Sequence, residues 1–127
     1  MAKKFRTISP IDSSVYVERP YADNEQIEEV LEKAKSAQKV WKDVLLARRK
    51  TLCAKAIDEF VARKDEIARE ICWQMGRPIR SAAGEIVGVE ERGRTMIELS
   101  DEGLAAVQLE EKPGFERWIQ REPVGVV

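Results

Sequence analysis

Gly114-Phe115-Glu116-Arg117-Trp118-Ile119-Gln120-Arg121-Glu122-Pro123-Val124-Gly125-Val126-Val127 closes the sequence and decides how the rest is read. Up to Gln120 the stretch has the aromatic and β-branched content of an extended strand. Arg121-Glu122-Pro123 makes a corner. Val124–Val127 then opens an apolar run of the kind a buried parallel strand uses. Exposed polar residues are more usual at the end of a chain. The expectation is therefore that residues 1–127 are the opening segment of a larger enzyme, with the chemistry beyond Val127.

Within the stretch, Phe115, Arg117, Ile119 and Arg121 alternate with Glu116, Trp118 and Gln120. Neither face is cleanly polar, which suits a strand with neighbours on both sides or one that meets another subunit. Phe115, Trp118 and Ile119 are the subunit-interface candidates.

The totals exclude several classes. Lys plus Arg is 22 and Asp plus Glu is 23, a formal net charge of −1. That balance lacks the positive excess of a nucleic-acid or anionic-membrane binder. No apolar run approaches the ~20 residues of a membrane span. Met-Ala-Lys-Lys-Phe-Arg at the start is basic but has no apolar segment behind it, unlike a secretory signal. A cytoplasmic protein is expected. The sequence has no histidine, which removes Ser-His and Cys-His nucleophile pairs and most zinc sites. Cys53 and Cys72 sit beside apolar neighbours in helical patterns. They read as small buried hydrophobes rather than a disulfide or a reactive thiol.

Residues 4–8 and 14–19 are short and β-rich, with Ser9-Pro10-Ile11-Asp12-Ser13 as a turn between them. A hairpin is expected, although its loop lacks the glycine that a tight turn often uses. Pro20 closes the second strand. Asp23 or Asn24 suits an N-cap. Ile27, Val30, Leu31, Ala34, Ala37, Trp41 and Val44 then recur at helical spacing and predict an amphipathic helix over about 23–43. Leu46 to Val61 and Ile67 to Met75 carry two further apolar patterns. Arg63-Lys64-Asp65-Glu66 is either a solvated turn of one long helix or a break, and two helices meeting near Lys64 is the preferred reading. Gly76-Arg77-Pro78 is a strong stop. A fourth helix follows Pro78, with Ser81 as a candidate cap. Gly84 and Gly88 share a face of it, where a second element can approach closely. The apolar pattern fades through Ser100–Gln108, and Leu109–Gly114 is a charged loop.

Little in this order carries chemistry. There is no GxGxxG and no Gly-rich GK[ST] loop to cradle phosphates. The carboxylates lie on polar helix faces. Asp65-Glu66 and Glu90-Glu91 are adjacent on helices, so their side chains diverge and make no acid/base pair. Arg48-Arg49-Lys50 reads as a solvated helix start. No catalytic, cofactor-binding or metal-binding residue is assigned.

The ordered set of motifs resembles the N-terminal part of the aldehyde dehydrogenase superfamily. Ser9-Pro10-Ile11-Asp12-Ser13-Ser14-Val15-Tyr16 is similar to the family's opening hairpin, with Ser13 where glycine is usual. Ala34 to Trp41 resembles the family's Ala-x-x-Ala-x-x-x-Trp helix. Trp73-Gln74-Met75-Gly76-Arg77-Pro78 resembles its Glu-x-Gly-Lys-Pro turn, with Gln74 and Arg77 as departures. Arg121 to Val127 matches its Arg-x-Pro-Val-Gly-Val segment. The likeness covers essentially the whole chain.

The resemblance implies a chain that is mainly α (a β-hairpin, about four helices, C-terminal strands) within an α/β Rossmann-like fold. Residues 1–113 would be the hairpin and helical part of the cofactor-binding domain, 114–123 an oligomerisation-type strand, and 124–127 the start of the first core strand. The family's Pro-Trp-Asn segment, cofactor-binding lysine, general-base glutamate and nucleophilic cysteine all fall after Val127. Neither Cys53 nor Cys72 corresponds to that nucleophile. The implied family reaction takes an aldehyde to a carboxylate by thiolate attack and hydride transfer to NAD or NADP. This chain is expected to be inactive alone and to bind no cofactor by itself. The alternative is a non-catalytic interaction partner that self-associates or binds a complementary aldehyde dehydrogenase fragment, without nucleic acid or membrane.

Overall fold

The computed structural model describes residues 3–127; the first two residues of the 1–113 segment lie outside that range. Strands β1 (Lys4–Ile8) and β2 (Val15–Pro20) pair antiparallel, from Lys4 opposite Pro20 to Thr7 opposite Val17. The register slips between Thr7 and Ile8, so that Ile8 faces Val15. The loop closes without glycine. Ser9 N–H donates to the Ser14 carbonyl and Ser13 N–H to the Ser9 carbonyl, both at 2.9 Å. Asp12 Oδ1 accepts from Ser14 N–H at 3.0 Å. Ser13 takes the left-handed conformation itself, with φ of 62°. Only Gly reaches that region freely, so Ser there costs about 1 kcal/mol. Pro20 ends β2, where its missing N–H interrupts no ladder bond.

Helix α1 (Asn24–Trp41) begins with a capping box. Asp23 Oδ1 accepts from Gln26 N–H at 2.9 Å, and Gln26 Oε1 accepts from Asp23 N–H at 3.1 Å. It stops two residues before the expected end, as Asp43 and Val44 turn back onto the Val40 and Trp41 carbonyls. Helices α2 (Leu46–Ala62) and α3 (Lys64–Met75) meet at Arg63, beside the expected break at Lys64. Arg63 holds the corner by donating from Nε to Glu66 at 2.9 Å. Gly76 ends α3 at φ of 73°, the left-handed cap that its position foretold.

Helix α4 (Ile79–Leu104) starts directly after Pro78. Ser81 is therefore inside the first turn and does not cap it; its hydroxyl donates to the Pro78 carbonyl at 3.0 Å. The helix runs past Ser100 because fading apolar periodicity there reflects exposure to solvent, while Lys50 of α2 still ties Asp101 by an ion pair at 2.5 Å.

α4 packs against both α2 and α3. Ala68, Ala82 and Ile86 form the buried centre, with Val61, Ile67, Ile71, Cys72 and Ala83 around it. The close-approach glycine is Gly93, not the Gly84/Gly88 pair. A Cβ on Gly93 would stand 2.7 Å from Ile57 Cδ1 of α2. Gly84 has nothing within 4 Å, and Gly88 meets only Arg92 of its own helix.

The closing segment differs from the expected long strand. Two-residue strands β3 (Val107–Gln108) and β4 (Trp118–Ile119) pair antiparallel, with Val107 opposite Ile119 and Gln108 opposite Trp118. Phe115 belongs to the tight turn before β4, its N–H donating to the Lys112 carbonyl at 2.9 Å. Val124–Val127 forms no strand in this structure, and Gly125 sits at φ of 102°. A strand needs a neighbour for its backbone groups, and none lies beside this run among the described residues.

Candidate interaction surface

The chain exposes 10,701 Å². A compact monomer of its mass, 14.5 kDa, exposes about 6,900 Å². The surplus is about 3,800 Å², and many large apolar side chains are among the exposed residues. No residue of α1 is buried, and Ile27, Val30, Val40 and Trp41 are all exposed. Along α4, Val87, Val89, Met96 and Leu99 are exposed.

Phe115, Trp118 and Ile119 all lie on the segment that closes the β3–β4 hairpin, 63%, 52% and 55% exposed. Lys112 Nζ lies 5.0 Å from the centre of the Phe115 ring, a cation–π contact that steadies the turn. Arg117 donates to the Glu110 carbonyl across the hairpin. Sequence reasoning missed β3, whose exposed Val107 lies opposite Ile119. The alternation Val107-Gln108-Leu109 was the available signal, hidden by its short length.

The groove beneath this hairpin is lined by Glu110, Glu111 and Glu116 against Lys112 and Arg117. Three carboxylates against two cations repel a pyrophosphate, so these residues do not fit a dinucleotide. Among the described residues no group of three His, Cys, Asp or Glu side chains is placed to hold a metal ion. No helix is long and apolar enough to cross a membrane.

The strongest polar constellation is structural. Tyr16 of β2 donates to Glu70 Oε1 of α3 at 2.7 Å, and Gln74 Nε2 donates to Glu70 Oε2 at 2.8 Å. The Tyr16 ring stacks on Trp73, centroids 6.1 Å apart and planes within 8°. The Glu70 hydrogen bond, then desolvation and the Glu70 charge, hold the Tyr16 hydroxyl above its ordinary pKa. Trp73, read from sequence as a packing residue, is the platform on which the hairpin docks. On the hairpin's outer face Glu18 bridges Lys4 at 2.7 Å and Arg6 at 2.5 Å. Hydrogen bonds from Lys4 first and Arg6 second hold its carboxyl below the usual range.

The cysteines separate. Cys53 is exposed, against the expectation of burial. Cys72 is half-buried beside the core, and its thiol donates to the Arg77 carbonyl at 2.7 Å.

A family model described as the aldehyde dehydrogenase family matches residues 1–127. The chain is 27% identical over 128 residues to the (Z)-2-((N-methylformamido)methylene)-5-hydroxybutyrolactone dehydrogenase of Acinetobacter baylyi, covering 99% of this chain and 26% of that protein. The structure of PnpE in complex with nicotinamide adenine dinucleotide superposes with a TM-score of 0.87 at 23% identity, over 96% of this chain and 25% of that one. The NADP-dependent glyceraldehyde-3-phosphate dehydrogenase of Bacillus halodurans C-125, complexed with NADP, gives a TM-score of 0.85 at 24% identity, over 97% and 27%. At these identities the structural likeness shows the fold. The chain spans about a quarter of the length of the curated relatives it matches.

Proposed function

The chain belongs to the aldehyde dehydrogenase family, and we propose that it supplies the N-terminal framework of an NAD- or NADP-dependent aldehyde dehydrogenase while catalysing nothing alone. The observation that carries this reading is the family match over the whole chain combined with its span of a quarter of those relatives. The whole protein would oxidise an aldehyde to the carboxylate and pass a hydride to the nicotinamide cofactor. The residues of this chain would hold the scaffold. Tyr16, Glu70 and Trp73 fix the hairpin to α3, and Ala68, Ala82 and Ile86 lock α3 to α4. The apolar faces of the helices would rest on the sheet of the cofactor domain, which explains why so much apolar surface is built and left open. Phe115, Trp118 and Ile119 would make subunit contacts in an oligomer, and the protein would work in the cytoplasm.

The test is an absorbance assay for NADH or NADPH formation with short aliphatic, aromatic and semialdehyde substrates. The purified chain is assayed alone, then mixed with the remaining three-quarters of a related dehydrogenase lacking its own N-terminal segment. No turnover alone and turnover in the mixture are expected. Turnover by the chain alone, or none in a mixture that forms a complex, would overturn the reading.

A further inference from the structure

We draw no further inference here: the strongest candidate, the cleft between β2 and α3 lined by Phe5, Tyr16, Arg19, Glu70 and Gln74, carries nothing, because Tyr16 and Gln74 already occupy both oxygens of Glu70 and nothing in the structure shows what covers the rest.

Discussion

Tyr16 and Glu70, 54 residues apart, meet in a 2.7 Å hydrogen bond that ties the N-terminal hairpin to the third helix. The tie is made of three parts. Glu70 is oriented by Gln74 from the next turn of α3. The Tyr16 ring lies flat on Trp73. Behind them Pro10 of the hairpin loop comes so close to Gly76 that a Cβ there would stand 2.8 Å from Pro10 Cγ. A two-stranded hairpin is marginal by itself in water, so these contacts decide whether it is ordered.

Replacing Trp73 by Ala removes the platform. Trp73 is 39% exposed, so about 2 kcal/mol of stability should be lost in urea denaturation, less than a fully buried Trp would forfeit. Tyr16→Phe keeps the stack and deletes the hydrogen bond, so its effect should be smaller. Equal losses from the two variants would show that the stack contributes nothing.

Alkaline pH should release the same contact. The Glu70 hydrogen bond raises the Tyr16 pKa above 10.0. A raised folded-state pKa means that the native chain holds its proton more tightly than the unfolded one. The stabilisation is complete below pH ~10 and fades as pH rises through the folded value. Hairpin amide resonances should lose dispersion in that range, and Tyr16→Phe should abolish the transition.

Acid should open the outer face of the same hairpin. Lys4 and then Arg6 hold the Glu18 carboxyl below its ordinary value of 4.5. A depressed folded-state pKa places the stabilisation above that ordinary value and removes it as pH falls through the folded one. The pair is exposed, so the effect should shrink in high salt. Chemical shifts of Arg6 and Glu18 amides should titrate below pH ~4.5 in the parent and stay flat in Glu18→Gln.

The elements built from local signals were legible in the sequence, and those built from partners were not. Asp23 with Gln26, and Gly76 before Pro78, mark helix ends by side-chain and backbone chemistry that acts within a few residues, and both stand where expected. The Tyr16–Glu70 tie depends on two distant elements meeting, and no local pattern announces it. Gly84 and Gly88 were credited with close packing from their four-residue spacing, yet α2 crosses α4 at Gly93. Spacing shows which residues share a face, not which face a neighbour covers. Val124–Val127 has strand composition without strand structure for the same reason: its pairing groups find no neighbour. Of the closing segment, the strand composition around Trp118 and Ile119 was legible, while β3 opposite them was too short to register.

The glycines of α4 should respond oppositely to alanine. Gly84 is in open space on a helix, so Gly84→Ala should stabilise by about 1 kcal/mol. Gly93→Ala gains the same propensity but drives its new methyl to 2.7 Å from Ile57 Cδ1, which must rotate away. The net should fall near zero, and Gly93→Leu should cost about 2 kcal/mol by overpacking. Urea melts of the three variants check the order.

Gly76→Ala should be worse than either. Its φ of 73° is one that an L side chain adopts at a cost of about 1–2 kcal/mol. Its new Cβ would also press on Pro10, whose ring cannot swing aside as Ile57 can. The two penalties act together, so the loss should exceed that of Gly93→Ala and should loosen the hairpin loop. Deuterium exchange at Ser9–Ser14 will report the second effect: unchanged protection there would mean that the α3 cap and the hairpin are independent.

The two thiols should be told apart by their rates of alkylation. Cys53 is exposed, whereas the Cys72 sulfur is half-covered and donates to the Arg77 carbonyl at 2.7 Å. Reaction requires a free, accessible thiolate, so iodoacetamide should modify Cys53 about tenfold faster than Cys72. Peptide mass mapping over time resolves the two sites. Once Cys72 is alkylated, the Arg77 carbonyl loses its donor and the added group crowds Ile71 and Ala83 at the edge of the core. Stability should therefore fall with the slow phase of labelling and not with the fast one. Equal rates at both sites would mean that the α3–α4 corner opens often enough to expose Cys72, and that the hydrogen bond to Arg77 does not hold it.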